Sequence, residues 1–140
     1  MKIVIVRGIP GSGKTTYVRK NLDGAFICSA DNYFEELAEL NQTSYLEEFK
    51  PWLVGKAHQH CWGSFIHATV IMYEPLVVVD NTNIHHWEYE NYVLLGKEMG
   101  YEVEIVQIPF VSDGAEVYHR RNKHGVPLEV IQRMINDYQH

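Results

Sequence analysis

"KIVIVRGIPGSGKTT", Lys2 to Thr16, decides how the rest of the chain is read. Lys2 to Arg7 is β-branched and apolar on successive residues, a pattern with no solvated face, and reads as a central parallel strand. Gly8, Gly13, Lys14 and Thr15 then satisfy G-x-x-x-x-G-K-[ST], in the required setting between a buried strand and a helix expected from Lys14 to Asn21. The glycines let the backbone wrap a phosphate without side-chain clashes. The amides of Gly11, Ser12, Gly13, Lys14, Thr15 and Thr16 then converge at a helix N-terminus, which favours anions. In such a loop Lys14 reaches the outer phosphates of ATP and the Thr15 hydroxyl ligates Mg²⁺. The loop says what is held and leaves open whether the terminal phosphate goes to water, a small alcohol, a second nucleotide or a nucleic-acid end.

Working outward, "DG" at Asp23 and Gly24 ends the first helix, and "AFIC" is a second short strand. From Asp31 or Asn32, "NYFEELAEL" has helical spacing that places Phe34, Leu37 and Leu40 on one face, and a polar stretch follows. Pro51 suits the first position of another helix, expected from Trp52 to about Met72 with Ala57, Cys61, Phe65 and Ala68 buried. "PLVVVD" is a buried strand ending at Asp80. The next helix is expected from about His85 to Met99, with Asn83 as its cap and Gly100 as its stop. "YEVEIVQIP" reads as a fourth strand at the edge, and Ala115–Asn122 and Pro127–Gln139 as two helices around "KHGV". Strands alternating with helices give a parallel α/β sheet, in which ligands bind at the carboxyl ends of the strands. The glycine loop, "SADN" and "DNTN" all fall there.

The 140 residues are the size of one domain, and 46% hydrophobic with 21% charged residues is an ordinary globular composition. Cys28 and Cys61 lack the spacing of a zinc or disulfide framework, which fits a reducing cytoplasm. "IVIV" is too short for a signal peptide or a membrane span. A net charge of −6 argues against gripping a long stretch of nucleic-acid backbone, but leaves room for a small basic tunnel at one end.

Asp31 follows the second strand, where a carboxylate faces the terminal phosphate from the acceptor side and can take the proton of an attacking hydroxyl. The same residue suits a helix N-cap, and both readings stand on local sequence. Asp80 is placed either to hold Mg²⁺ or to close a turn, and Asn81, Thr82 and Asn83 either to position substrate or to cap, with capping the preferred reading for Asn83. Arg120 and Arg121, on a late helix beside a short loop, suit neutralisation of the transferring phosphoryl group, or form a solvated basic face. His124 suits a phosphate contact or a helix end. His58, His60, His67, His85 and His86 have no metal-binding pattern and read as core or surface histidines.

"GIPGSGKTT", "SADNYF", "VVVDNTN", "RRNKHGVP" and "LEVIQRMINDYQ", in this order and at these spacings, resemble the kinase domain of bacteriophage 5′-hydroxyl polynucleotide kinase. They equally resemble its phosphate-loop relatives in eukaryotic ubiquitin-ligase-binding proteins and among AAA-type and zeta-toxin-like ATP-binding proteins. The resemblance implies a three-layer P-loop NTPase of the nucleoside-kinase-like kind, one domain over 1–140 with a central parallel sheet of about four strands and a C-terminal helical lid. It implies ATP and Mg²⁺ held by Lys14 and Thr15, Asp31 as general base for a 5′-hydroxyl, and Arg121, with Arg120 beside it, on the ATP phosphates. The acceptor is then the 5′ end of DNA or RNA. The alternatives are a small molecule, nucleoside or modified base, and an ATP-driven switch with a protein partner. Phe34 stands where the phage family has an acceptor-binding arginine, and the lid is shorter and less basic.

Overall fold

The computed structural model describes residues 1–140. β1 (Lys2–Arg7), β2 (Phe26–Cys28), β3 (Leu76–Asp80) and β4 (Glu102–Gln107) form one sheet in the order β2–β3–β1–β4, and every pairing is parallel. β1 lies between β3, with Val4 opposite Val78, and β4, with Ile5 opposite Ile105. This central place explains its unbroken apolar run. Ile3 and Ile5 face one core with Val77 and Val79, while Val4 and Val6 face the other with Val78.

Seven α-helices surround the sheet: α1 (Lys14–Asn21), α2 (Asp31–Asn41), α3 (Tyr45–Glu48), α4 (Val54–Ile66), α5 (Trp87–Glu98), α6 (Ala115–Arg121) and α7 (Leu128–Asp137). α4 and α5 cover the first face through Cys61, Phe65, Tyr89 and Tyr92, and α1 covers the second through Val18. A third cluster, built on Ile9, Ile84, Tyr118, Ile131 and Ile135, packs α6 and α7 over the carboxyl end of β1. Sheet and helices therefore make the expected α/β layers, with β4 at one edge and β2 at the other.

Several boundaries differ from the sequence reading. The stretch expected as one helix from Trp52 to Met72 is a 3₁₀ turn (Pro51–Leu53), then α4, then a π-helical turn (His67–Ile71). There the Thr69 hydroxyl donates to Phe65 O at 2.8 Å, and the Met72 amide reaches back five residues to His67 O. Ala57, Cys61, Phe65 and Ala68 are buried as expected. Leu40 is 78% exposed, because α2 ends at Asn41 and only its Phe34 side is deeply covered. α5 starts at Trp87, and Asn83 does not cap it: the His85 amide donates to Glu88 Oε2 and the His86 amide to Gln139 Oε1, each at 2.8 Å.

Candidate active site

The carboxyl ends of β1, β3 and β2 bring three loops side by side. β1 ends at Arg7, and the turn from Gly8 to Gly13 leads directly into α1. Gly11 has φ +80° and Gly13 φ +105°, conformations that side chains disfavour. At Gly11 a Cβ would also lie 2.1 Å from the Tyr118 carbonyl oxygen of α6, so the glycine is required twice over. Tyr17 is the first α1 residue whose amide bonds back into the loop, to Gly13 O at 3.0 Å, leaving the amides of Gly13 to Thr16 free of internal acceptors. Ser12 Oγ is buried with no partner, and the space beside the Gly13 Cα is open. An orphaned hydroxyl among free amides at a helix start is a lining that the oxygens of a polyphosphate satisfy.

Burial pushes the Lys14 ammonium below the usual lysine pKa, with the charges of Asp80 and Asp31 pulling it back. Asp80, the last residue of β3, is held above the usual carboxylate range by burial, opposed by Lys14 and reinforced by Asp31. A desolvated carboxylate next to a lysine and a phosphate loop is suited to a hard cation, which would supply the charge its burial lacks. Lys14, Asp80 and Asp31 thus form one electrostatic unit.

The neighbouring "NTN" residues are ties between loops rather than caps. The Asn81 side chain accepts from the Ala30 amide at 2.9 Å, which fixes the residue preceding Asp31. The Gly8 amide donates to Thr82 O at 3.1 Å. Asn83, at φ +49° and 1% exposed, donates from Nδ2 to Val6 O at 2.9 Å. Arg7 completes the tie: its guanidinium donates to the carbonyls of Asn83, Ile84 and Gln139 and lies over the rings of Tyr89 and Tyr138.

Asp31 is the first residue of α2, and its carboxylate accepts no α2 amide, so it does not act as the cap. Its Oδ1 accepts from the Tyr45 hydroxyl of α3 at 2.6 Å, and its Oδ2 lies 3.3 Å from Nδ1 of His124. Burial raises the Asp31 pKa, but the bonds from His124 and Tyr45, together with the charges of His124 and Lys14, more than offset it and leave the carboxyl below its usual range. His124 lies beyond the end of α6 and pairs with the carboxylate. The sequence reading missed Tyr45, although Ser44 caps α3 just before it: the Glu47 amide donates to Ser44 Oγ at 3.2 Å.

Phe34 is buried at 2% exposure and packs on Tyr33, Tyr45 and Phe49. It supports Tyr45 from behind and presents nothing to an acceptor. Arg120 and Arg121 are exposed in the last turn of α6, a helix whose Tyr118 backbone touches Gly11. Of the other histidines, His60 lies 3.2 Å from Glu36 and His85 3.0 Å from Glu88.

A parallel sheet with β1 at its centre, a glycine-rich turn feeding α1, a desolvated lysine, and a carboxylate at the end of the adjacent strand define a P-loop nucleotide-binding domain. Within that class the chain belongs to the AAA domain family, whose model matches residues 3–140. It is similar to human NEDD4-binding protein 2, with 32% identity over 143 residues. That match takes in 98% of the chain but only 8% of the human protein, so the chain spans a small part of its relative's length. No helix is long and apolar enough to cross a membrane.

Proposed function

We propose that the chain is an ATP- and Mg²⁺-dependent phosphotransferase that moves the terminal phosphate of ATP to a hydroxyl group. The single observation behind this reading is Asp31: a carboxylate oriented by two side chains, kept ionised, and held beside Lys14 at the mouth of the phosphate loop. A domain that only bound or slowly hydrolysed ATP as a switch would need no such group.

The residue roles follow from position. The amides of Gly11, Ser12, Gly13, Lys14, Thr15 and Thr16 cradle the phosphates, and the Lys14 ammonium meets the outer ones. The Thr15 hydroxyl and Asp80 would hold Mg²⁺, which when bound neutralises charge on the phosphate oxygens. Arg121, with Arg120 beside it, balances charge on the phosphoryl group in transfer. Asp31 accepts the acceptor's proton. The whole chain is read as one domain, and its two buried, unpaired cysteines are in keeping with the cytoplasmic setting proposed for it.

Resemblance to the phage kinase makes the 5′-hydroxyl of a DNA or RNA end the first acceptor to test. A small hydroxyl compound is the second reading, favoured by one observation. Asp31 to Glu48 carries Asp31, Glu35, Glu36, Glu39, Glu47 and Glu48 and no lysine or arginine, and Phe34 is turned inward. Such a wall repels a long polyanion.

Purified protein with γ-labelled ATP, Mg²⁺ and a 5′-hydroxyl oligonucleotide is expected to label the strand. In Asp31→Asn, transfer should fall by about 10²-fold or more with ATP affinity nearly unchanged. Equal activity in the variant removes Asp31 as base. ATP bound with no label on the strand moves the search to small hydroxyl acceptors.

A further inference from the structure

His124 stands on the α6–α7 loop, more than ninety positions from Asp31 in sequence, yet the two side chains meet. We propose that His124 is a positioning residue for Asp31: its ring takes Oδ2 of the carboxylate while Tyr45 takes Oδ1, so the base is aimed only when the α6–α7 loop is docked on α2 and α3. This inference rests on the reading of Asp31 as the base.

The loop is built to present this side chain. Asn122 Oδ1 accepts from the amides of His124 at 3.1 Å and Val126 at 2.9 Å, curling the chain so that the imidazole projects toward α2. The ring stacks on Tyr45 with centroids 4.0 Å apart and planes at 20°. Gly125 lies against Leu46, where a Cβ would come within 3.2 Å of the Leu46 side chain. One tyrosine therefore does two jobs: its hydroxyl fixes one oxygen of Asp31 and its ring face carries the histidine that fixes the other.

The charged and titratable groups facing His124 are Asp31 and Glu35 from α2, Tyr45 from α3 and Lys14 from α1. The hydrogen bond to Asp31 raises the His124 pKa above its ordinary value, burial lowers it, the charges of Asp31 and Glu35 raise it, and Lys14 lowers it. Glu35 Oε1 lies 3.7 Å from the far ring nitrogen, so the ring stands between two carboxylates. Docking is charge-assisted while His124 is protonated and Asp31 ionised: it weakens as pH rises through the raised His124 pKa and is lost on acidification through the depressed Asp31 pKa. A carboxylate has about four lone-pair directions, so two donors leave Asp31 free to accept an acceptor hydroxyl.

The test uses the full chain with γ-labelled ATP, Mg²⁺ and a 5′-hydroxyl oligonucleotide, with phosphate release to water followed in the same samples. His124→Ala is expected to lower turnover by roughly 10- to 100-fold and to move the acidic limb of the pH–rate profile to higher pH. His124→Gln, a neutral donor of similar reach, should recover part of the rate and lose the basic limb. In an Asp31→Asn background, His124→Ala should add no further loss, because it acts through the carboxylate. A purely structural role would add its loss in both backgrounds and leave the limbs in place.

Histidine ring-proton titration by NMR reads the same coupling with no acceptor. His124 should titrate above about 6.5 in wild type and lower in Asp31→Asn; identical titration in the two overturns the pairing. Full activity in Asp31→Asn removes the base reading itself. An inactive Asp31→Asn beside a His124→Ala with wild-type rate and profile removes only the positioning role.

Discussion

Asp31 holds hydrogen bonds from two segments that the chain brings together only on folding, and both favour its charged form. The sign of the pH dependence follows. If Asp31 is the base, as proposed, its depressed carboxyl pKa keeps it ionised through the neutral range, so the acidic loss of transfer falls below the usual carboxylate values. The stability these bonds contribute is likewise present above the unfolded pKa and lost as pH falls through the folded one. Tyr45→Phe removes one donor and keeps the ring under His124. The acidic limb of kcat/KM against pH should shift upward in that variant, and an unmoved limb would show that the hydroxyl does not tune the base. At this scale the sequence reveals Asp31 and hides its partners. A carboxylate after a short strand is a local signal, whereas Tyr45 and His124 reach it through tertiary contacts that no spacing encodes. Phe34 is the clearest case: its position suggests a lost acceptor contact, and its burial shows a residue recruited to the aromatic support of Tyr45.

At the level of elements, β1 and α1 match the sequence reading to the residue, because apolar continuity, a glycine turn and a helix start coincide there. The contact that fixes α6 is less visible. Its Tyr118 carbonyl lies against Gly11, so α6 and the phosphate loop share one boundary. Gly11→Ala must therefore displace α6 as well as strain its own backbone, and a loss of about 2 kcal/mol or more is expected. Gly13→Ala meets only the backbone strain, about 1 kcal/mol, since nothing lies within 4 Å of the added carbon. Denaturant unfolding of the two variants, read beside ATP affinity, checks the ranking; equal losses would mean that α6 yields freely. The long helix expected from Trp52 to Met72 failed for a local reason as well: Thr69 bonds back to Phe65, and the backbone widens into a π turn beside it. Asn83 was misread because asparagine before a helix usually caps it, whereas here its amide spans to β1.

Over the whole molecule the charge is uneven. The net charge of −6 is concentrated in part on the segment from Asp31 to Glu48, while Arg120 and Arg121 stand exposed on α6. A nucleic-acid strand would have to enter by its last one or two nucleotides and leave the rest in solvent. The slope of log affinity against log salt for a 5′-hydroxyl oligonucleotide is accordingly expected at about −1 to −2. A much steeper slope would mean that many phosphates are neutralised along a basic track, and no slope at all would point to a small neutral acceptor. The sheet and its three loops were legible because strands alternating with helices make a parallel sheet, whose carboxyl ends gather the loops that follow each strand. The charged wall was legible only in part, since net charge does not say which face carries it.

Arg7 gives the site one more property. Its guanidinium joins the root of the phosphate loop to Asn83, Ile84 and Gln139, so the most recognisable motif of the chain is anchored by residues far from it in sequence. The motif is therefore not a portable cassette. Grafted onto another strand and helix, "GIPGSGKTT" would keep its glycines and lysine but arrive without the carbonyls that hold Arg7 and without the asparagine that holds Val6. A designer wishing to transplant nucleotide binding from this chain would have to move three loops and the C-terminal segment together, as one graft.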